Sequence, residues 1–172
     1  TLVEQIDHLN HIAGEFSQFA NIGDSKKELF DLNETLRSVL HLYSANDHLQ
    51  ISAQLLDQPI IINADKTHIN RLFTNLMLNG IQAVPDQEMA RIGVIESIRD
   101  GYVLVPISDN GQGIDDTIRP KIFAPNFTTK TSGTGLGLAM CKRMVEQAEG
   151  DIWFGSNPGK GTSFYVKLPV VA

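Results

Sequence analysis

The stretch NLMLNGIQAV, residues 75–84, belongs to a segment with the spacing of a buried helix, yet it carries two asparagines among its apolar residues. Asn75 and Asn79 are four residues apart, so they lie one above the other on one face of a helix. Asparagine is a mediocre helix former, because its amide competes for backbone hydrogen bonds. Two stacked amides therefore indicate a ligand, although each could also simply satisfy a neighbouring backbone group.

The composition is that of an ordinary globular protein and excludes several classes. The chain has 172 residues, of which 42% are hydrophobic and 20% charged, enough for one domain with a sizeable core. Its net charge of -6 gives no electrostatic footprint for nucleic acid or for an anionic membrane. No apolar run is long enough to predict a membrane span, and the single cysteine, Cys141, rules out an internal disulfide and fits a reducing compartment.

The first twenty residues have the pattern of a coiled-coil helix. Apolar residues recur at alternating spacings of four and three, namely Leu2, Ile6, Leu9, Ala13, Phe16 and Ala20. Gly23 can close this helix, and about three heptads are too short to be stable alone. We therefore expect residues 1–23 to pack on a partner helix outside this chain; the alternative is a first helix docked on its own domain. The sequence begins without methionine, partway through this pattern, which suggests a piece of a longer protein.

The remaining pattern mixes helices with strand pairs. A short strand precedes a helix for which Asn33 is a plausible N-cap. Three pairs of strand-like segments predict hairpins, namely LQISAQLL with PIIINAD, RIGVIESI with YVLVPIS, and DIWFGS with TSFYVKLP. This order predicts an α+β fold, with one layer of helices on a mostly antiparallel sheet.

Two glycine-rich segments predict a nucleotide site. In SGTGLGL, residues 132–138, glycines leave backbone N–H groups unobstructed just before a helix, and such a terminus attracts anions. In SDNGQGI, Asp109 follows an apolar strand and can accept a hydrogen bond from an exocyclic amine such as that of adenine. The alternatives are a plain tight turn for the first segment and an Asx turn for the second.

The asparagines fit this site. If phosphates lie at the glycine loop, a magnesium ion should bridge them, and magnesium takes one or two protein oxygens. The carbonyl oxygen of Asn79 suits that role, with Asn75 as a second ligand through water.

Five motifs together resemble a known family. NLMLNGIQAV, DNGQGI, IFAPNFTTK, SGTGLGLAM and GKGTSF occur in the order and spacing of the N, G1, F, G2 and G3 boxes of sensor histidine kinases, most closely the nitrogen-regulation type. The resemblance covers Glu28 to Pro169 and implies an ATP-binding catalytic domain at residues 28–170. It also implies the Bergerat fold, a two-layer α/β sandwich shared with gyrase, MutL-type and heat-shock chaperone ATPases.

The resemblance implies a role for individual residues. Asn79, assisted by Asn75, would coordinate Mg2+, and Asp109 would bind the adenine amine, directly and through a water shared with Thr162. Lys130 would contact the terminal phosphate of ATP, and Gln82 stands where many relatives place a lysine facing the phosphates. The base pocket and the triphosphate would be lined by Gly111, Gly113, Ile114, Gly133, Thr134, Gly135, Leu136 and Gly137. Two departures are Gly80, in place of the usual alanine, and Asn126, in place of a usual phenylalanine.

The resemblance also separates a kinase from a hydrolase. In the ATPases of this fold a glutamate one helical turn before the metal asparagine activates water, whereas Asn75 cannot accept a proton at neutral pH. The phosphoacceptor should be a histidine that is followed by an acidic residue. None of the five histidines in this sequence is followed by one. We therefore expect a cytoplasmic, homodimeric histidine kinase whose phosphoacceptor lies in an upstream hairpin and whose next acceptor is a response-regulator receiver domain. The alternatives are an ATPase of this superfamily, a serine kinase of the anti-sigma type, and a degenerate domain that no longer binds ATP.

Overall fold

We describe a computed structural model that covers residues 1–22, 24–125, 127 and 137–171 of the chain. Its helices are α1 (Leu2–Asn21), α2 (Leu32–Tyr43), α3 (Lys66–Gln82) and α4 (Gly137–Gln147), with a short 3-10 helix at Arg119–Lys121. Its strands are β1 (Glu28–Asp31), β2 (Leu49–Gln54), β3 (Ile61–Ala64), β4 (Ala90–Ile95), β5 (Ser97–Arg99), β6 (Tyr102–Asp109), β7 (Asp151–Asn157) and β8 (Gly161–Pro169). None of the described helices is long and apolar enough to cross a membrane.

The main sheet is mixed but mostly antiparallel. Its strand order is β2-β4-β6-β8-β7, and β5 pairs with β6 at the side. Among the described strands only β2 and β4 are parallel within it, and β1 pairs with β3 in a separate antiparallel ribbon. The hairpins predicted around residues 100–101 and 158–160 are confirmed, since β5 and β4 pair with β6, and β7 pairs with β8.

The predicted hairpin between residues 49–56 and 59–65 is wrong. The segment between β2 and β3 does not turn back on itself, because it is tied to other elements. The Asn33 amide donates to the carbonyl oxygens of Leu56 and Gln58, both at 2.9 Å, and the Leu56 N–H donates to Glu96 at 3.0 Å. These bonds hold the two strands apart, so that β2 joins β4 and β3 joins β1.

The N-cap of α2 also differs from the prediction. Asp31 caps this helix, because its carboxylate accepts from the Asn33 N–H at 2.9 Å and from the Ile60 N–H at 2.9 Å. Asn33 is instead a fully buried residue of the first turn. Both residue types favour an N-cap, so the sequence does not distinguish two candidates two positions apart.

Helices α2, α3 and α4 cover one face of the main sheet and enclose the core. Alternation along β6 buries Val103, Val105 and Ile107, and α3 contributes Leu72 and Phe73. Burying each such side chain stabilises the fold by about 1.5–3 kcal/mol. This packing fixes α3 against the end of β6, where the two sets of predicted site residues meet.

The first helix lies apart from this core. It begins with a capping box, in which Thr1 accepts from the Glu4 N–H and Glu4 reaches back to the chain terminus. Its apolar seam is exposed, as Leu2 is 72% and Leu9 is 63% accessible to solvent. The chain joins the core only after this helix, at Ile22, which is 1% accessible.

Candidate functional site

Asp109 is fixed at the last position of β6 by two backbone donors. The N–H groups of Gly111 and Thr162 donate to Oδ1 of this carboxylate at 2.8 Å and 3.3 Å. Within the described part of the chain both hydrogen bonds end on Oδ1, which leaves Oδ2 able to accept from a ligand. Burial raises the pKa of the Asp109 carboxyl, and the two N–H donors oppose that rise.

Gly80 allows α3 to approach this carboxylate closely. A Cβ at this position would lie 2.8 Å from Cδ1 of Ile92 and 3.3 Å from Cβ of Asp109. Glycine in a helix interior costs about 1 kcal/mol relative to alanine. The close approach of Ile92 and Asp109 offers a physical reason for the departure from the alanine that the family usually has.

The segment after β6 is held against two neighbours. The Gln112 N–H donates to the carbonyl oxygen of Ala83 at 3.1 Å, just beyond α3. Gly113 has a φ of +78°, and a Cβ there would collide with the carbonyl oxygen of Asn157. Only glycine satisfies both demands, so Gly113 lets the segment after β6 pack directly against the backbone of Asn157.

Ser156 links the predicted base-pocket residues and was missed by the sequence reasoning. Its hydroxyl accepts from the Ile114 N–H at 2.7 Å and lies 2.9 Å from Oγ1 of Thr162. It also donates to the carbonyl oxygen of Gly161 at 3.1 Å, while Arg119 donates to the Ser156 carbonyl oxygen. A single hydroxyl therefore joins the segment after β6 to β8.

One sequence signal could have identified Ser156. Along β7 the inward positions alternate through Ile152 and Phe154 to Ser156, so the serine continues the buried face of the strand. Ser156 is the direct partner of Thr162 in the β7–β8 register. A hydroxyl at an inward position, opposite a predicted ligand residue, is a candidate for the same site.

The two asparagines lie on α3 as predicted, both half-buried. The Asn75 amide nitrogen is fully buried and has no hydrogen-bond partner among the residues that the structure describes. The nearby polar group is the thiol of Cys141 on α4, which is itself fully buried. Amide oxygens are suitable magnesium ligands, so the oxygens of Asn75 and Asn79 remain the predicted metal ligands of this helix. Gln82, at the end of the same helix, is exposed.

The anion-binding prediction can be followed only in part. Gly137 is the first residue of α4, and none of the described residues has an atom within 4 Å of the position that a Cβ would take. Its N–H lies at the positive end of the helix dipole. The other predicted phosphate contacts lie outside the described residues, namely Lys130, Gly133, Thr134, Gly135 and Leu136. Asn126 lies outside them as well.

The structure therefore places α3, which carries both asparagines, beside Asp109 at the end of β6, and α4 packs against α3. The family of histidine kinase-, DNA gyrase B- and HSP90-like ATPases matches residues 64–172, well over half of the sequence. The chain belongs to this family. The predicted nucleotide is thereby supported, since the domain is an ATP-binding one.

Two histidine kinases and a sporulation kinase are among the similar curated proteins. The signal transduction histidine-protein kinase AtoS of Escherichia coli is 32% identical over 98% of this chain, and the sensor histidine kinase ZraS of Klebsiella oxytoca is 35% identical over 98%. Sporulation kinase D of Bacillus subtilis is 30% identical over 100%. The chain spans only 28%, 37% and 35% of these relatives, in that order.

Solved structures confirm the fold. The catalytic domain of histidine kinase ThkA in a nucleotide-free form has a TM-score of 0.74 and 30% identity, over 84% of this chain and 95% of that one. Full-length ShkA in complex with AMPPNP has a TM-score of 0.83 and 25% identity, over 98% of this chain and 37% of that one. The α+β sandwich and the histidine kinase type of ATPase domain, both expected from the motifs, are confirmed.

Proposed function

We propose that this chain is the catalytic part of a sensor histidine kinase, which aligns ATP so that its γ-phosphate passes to a histidine outside the chain. The observation that carries the proposal is Asn75, an amide at the position where the ATPases of this fold have a glutamate base. Phosphoryl transfer depends mostly on positioning and charge stabilisation, so a site that does not activate water can still deliver the phosphate to a second domain.

The adenine end of ATP is assigned to Asp109. Its Oδ2 is available to accept from the exocyclic amine, because the N–H groups of Gly111 and Thr162 are bound to Oδ1. A water between the base and the Thr162 hydroxyl would complete the contact. Gly113 and the side chain of Ile114 would then lie beside the ring, and Ser156 would hold Ile114 in place.

The phosphate end is assigned to α3 and α4. Asn79 and Asn75 supply the carbonyl oxygens that would hold Mg2+, which neutralises charge on the phosphate oxygens when it is bound. The N-terminus of α4 at Gly137, together with the glycine loop before it and Lys130, would bind the phosphates. Gln82 can donate a hydrogen bond but brings no charge, so the phosphates would depend more on Lys130 than in relatives with a lysine at both places.

The first helix supports a place in a larger assembly. Its exposed apolar seam is that of a helix with a missing partner, since Leu2, Ile6 and Leu9 are all at least 48% accessible. We assign residues 1–23 to the second helix of a dimerisation and phosphotransfer hairpin and residues 28–170 to the catalytic domain. The whole protein would be a cytoplasmic homodimer, or the cytoplasmic part of an anchored one, that relays phosphate to a response regulator.

Phosphotransfer in trans tests this proposal. The chain is mixed with radiolabelled ATP, magnesium and a separately expressed hairpin that carries the acceptor histidine. We expect acid-labile label on the hairpin, lost in Asn79→Ala and retained in Asn70→Ala, which removes an exposed amide from the same helix. Release of inorganic phosphate by the chain alone, lost in Asn79→Ala, would favour an ATPase. Acid-stable label on a partner serine would favour the anti-sigma class.

A further inference from the structure

The hydroxyl of Ser156 lies at the centre of a small hydrogen-bond network beside Asp109. Among the residues that the structure describes, it contacts the Ile114 N–H at 2.7 Å, the carbonyl oxygen of Gly161 at 3.1 Å and Oγ1 of Thr162 at 2.9 Å. An N–H can only donate and a carbonyl oxygen can only accept, whereas each of the two hydroxyls can do either. The first two contacts therefore determine the direction of the bond between the hydroxyls.

The number of available protons fixes that direction. Ser156 has a single hydroxyl proton, and its contact with the Gly161 carbonyl oxygen requires that proton. The two lone pairs of the Ser156 oxygen then accept from the Ile114 N–H and from the Thr162 hydroxyl. If Ser156 donated to Thr162 instead, its contact with Gly161 would bring two acceptors together. All three contacts are hydrogen bonds only when Thr162 donates to Ser156.

This direction leaves the Thr162 hydroxyl with lone pairs alone for any further contact. Thr162 lies beside Asp109, because its N–H donates to Oδ1 of that carboxylate at 3.3 Å. An ionised carboxylate is also an acceptor only. Two neighbouring side chains, at the end of β6 and the start of β8, thus accept without donating. They favour a ligand edge that carries N–H groups, or a water that donates to them.

We propose that Ser156 is a specificity-determining residue, which holds the Thr162 hydroxyl as an acceptor and so adds to the selection of 6-amino over 6-oxo purine nucleotides. The inference rests on the proposed function, because the polarity of Thr162 matters only if the base lies against Asp109 and Thr162. The exocyclic amine of adenine supplies donors to this edge, whereas the oxygen of a 6-oxo purine would meet acceptors. Without Ser156, the Thr162 proton is free to turn toward the base and to donate to that oxygen.

Two variants and their combination separate this role from packing. Ser156→Ala removes the acceptor of the Thr162 proton, Thr162→Val removes the proton itself, and the double variant shows whether both act through one contact. Ser163→Ala is the matched control, because it removes the hydroxyl of β8 that lies 2.6 Å from Ser108. The first readout is the ratio of the affinities for ATP and ITP in the presence of magnesium. The second is the NMR signal of the Thr162 hydroxyl proton in the nucleotide-free protein, since this side chain is only 6% accessible.

We expect the preference for ATP over ITP to fall about fivefold in Ser156→Ala, the effect of one hydrogen bond, and to stay unchanged in Ser163→Ala. Thr162→Val should lower the preference as well, and adding Ser156→Ala to it should have no further effect. The Thr162 hydroxyl signal should show a cross-peak to Ser156 in the wild type and should shift or vanish in Ser156→Ala.

The inference would be overturned if Ser156→Ala lost equal affinity for both nucleotides, or if it still changed the ratio in the Thr162→Val background. A hydroxyl signal of Thr162 that Ser156→Ala leaves unaltered would overturn it as well. If the wild type binds neither nucleotide, the proposed function fails, and the hydroxyl signal still decides the direction of the hydrogen bond between Thr162 and Ser156.

Discussion

Gly80 on α3 lies directly against Asp109 at the end of β6, and a methyl group on the glycine would be 3.3 Å from Cβ of the aspartate. This close approach places the helix that carries both asparagines beside the carboxylate assigned to adenine. The proposed base end and the proposed metal end of the site would thus be held by one contact between a helix and a strand.

The close packing at Gly80 predicts that substitutions at Gly80 and Ile92 have coupled effects on the free energy of unfolding. Alanine at position 80 should add about 1 kcal/mol of helix propensity, but its methyl group would meet Cδ1 of Ile92 at 2.8 Å. Ile92→Val removes that methyl group at a cost of about 0.5–1.5 kcal/mol. We therefore expect Gly80→Ala to be more favourable in the Ile92→Val background than in the wild type. Urea unfolding of the four proteins measures the coupling, and strictly additive effects would contradict the packing argument.

Asp109 should make nucleotide binding sensitive to acid. The ionised carboxylate is the form that accepts from adenine, and burial raises its pKa. Affinity should therefore fall as the pH is lowered, beginning above the usual aspartate range near about 4. Asp109→Asn should bind about 10- to 100-fold more weakly at neutral pH, because a hydrogen bond to a charged group is lost. Calorimetric titrations between pH 4 and 8 would contradict this if both proteins had the same pH profile.

Ser156 should contribute more to nucleotide affinity than the neighbouring pair of Ser108 and Ser163. Ser156→Ala leaves the Ile114 N–H without its acceptor and should cost about 1–3 kcal/mol of folding free energy. Ser163→Ala is the matched control, since it removes a hydroxyl contact of 2.6 Å with Ser108. We expect adenine nucleotide affinity to fall only in Ser156→Ala. Equal losses of affinity in both variants, measured by titration, would remove Ser156 from the site.

Glu96, which is not one of the predicted site residues, should make the free energy of unfolding depend on pH. Burial raises the pKa of its carboxyl, the Leu56 N–H and the Asn33 amide oppose that rise, and Asp31 and Arg37 act in opposite directions. A raised pKa in the folded state means that the contribution of Glu96 is complete below the unfolded pKa and is lost as the pH rises through the folded value. Glu96→Gln should therefore gain stability relative to the wild type between pH 4 and 7. A difference in unfolding free energy that is constant with pH would be evidence against this.

Cys141 should be chemically inert in the folded protein. Its thiol is fully buried, and its pKa of about 12 leaves almost no thiolate at pH 8. A disulfide reagent should react with the native protein only at the rate of unfolding and should react at once in denaturant. Fast modification of the native thiol would contradict the buried contact with α3.

The sequence predicted elements whose information is local and missed those that depend on distant contacts. The alternation in β6, β7 and β8 and the period of α3 identify these elements directly, because one face of each is buried. The partners of β2 and β3 depend on bonds from Asn33 and Glu96, which no local pattern reveals. Ser156 was missed for the same reason, since its role comes from its register with Thr162.

The central claim is that stacked amides on α3 hold a magnesium nucleotide, and thermal unfolding with a non-hydrolysable ATP analogue tests it most directly. At a hundredfold excess over its dissociation constant, the analogue with magnesium should stabilise the wild type and Asn70→Ala by about 2.7 kcal/mol. At the same concentration it should stabilise Asn79→Ala far less. No stabilisation of the wild type, or equal stabilisation of all three proteins, would contradict the account.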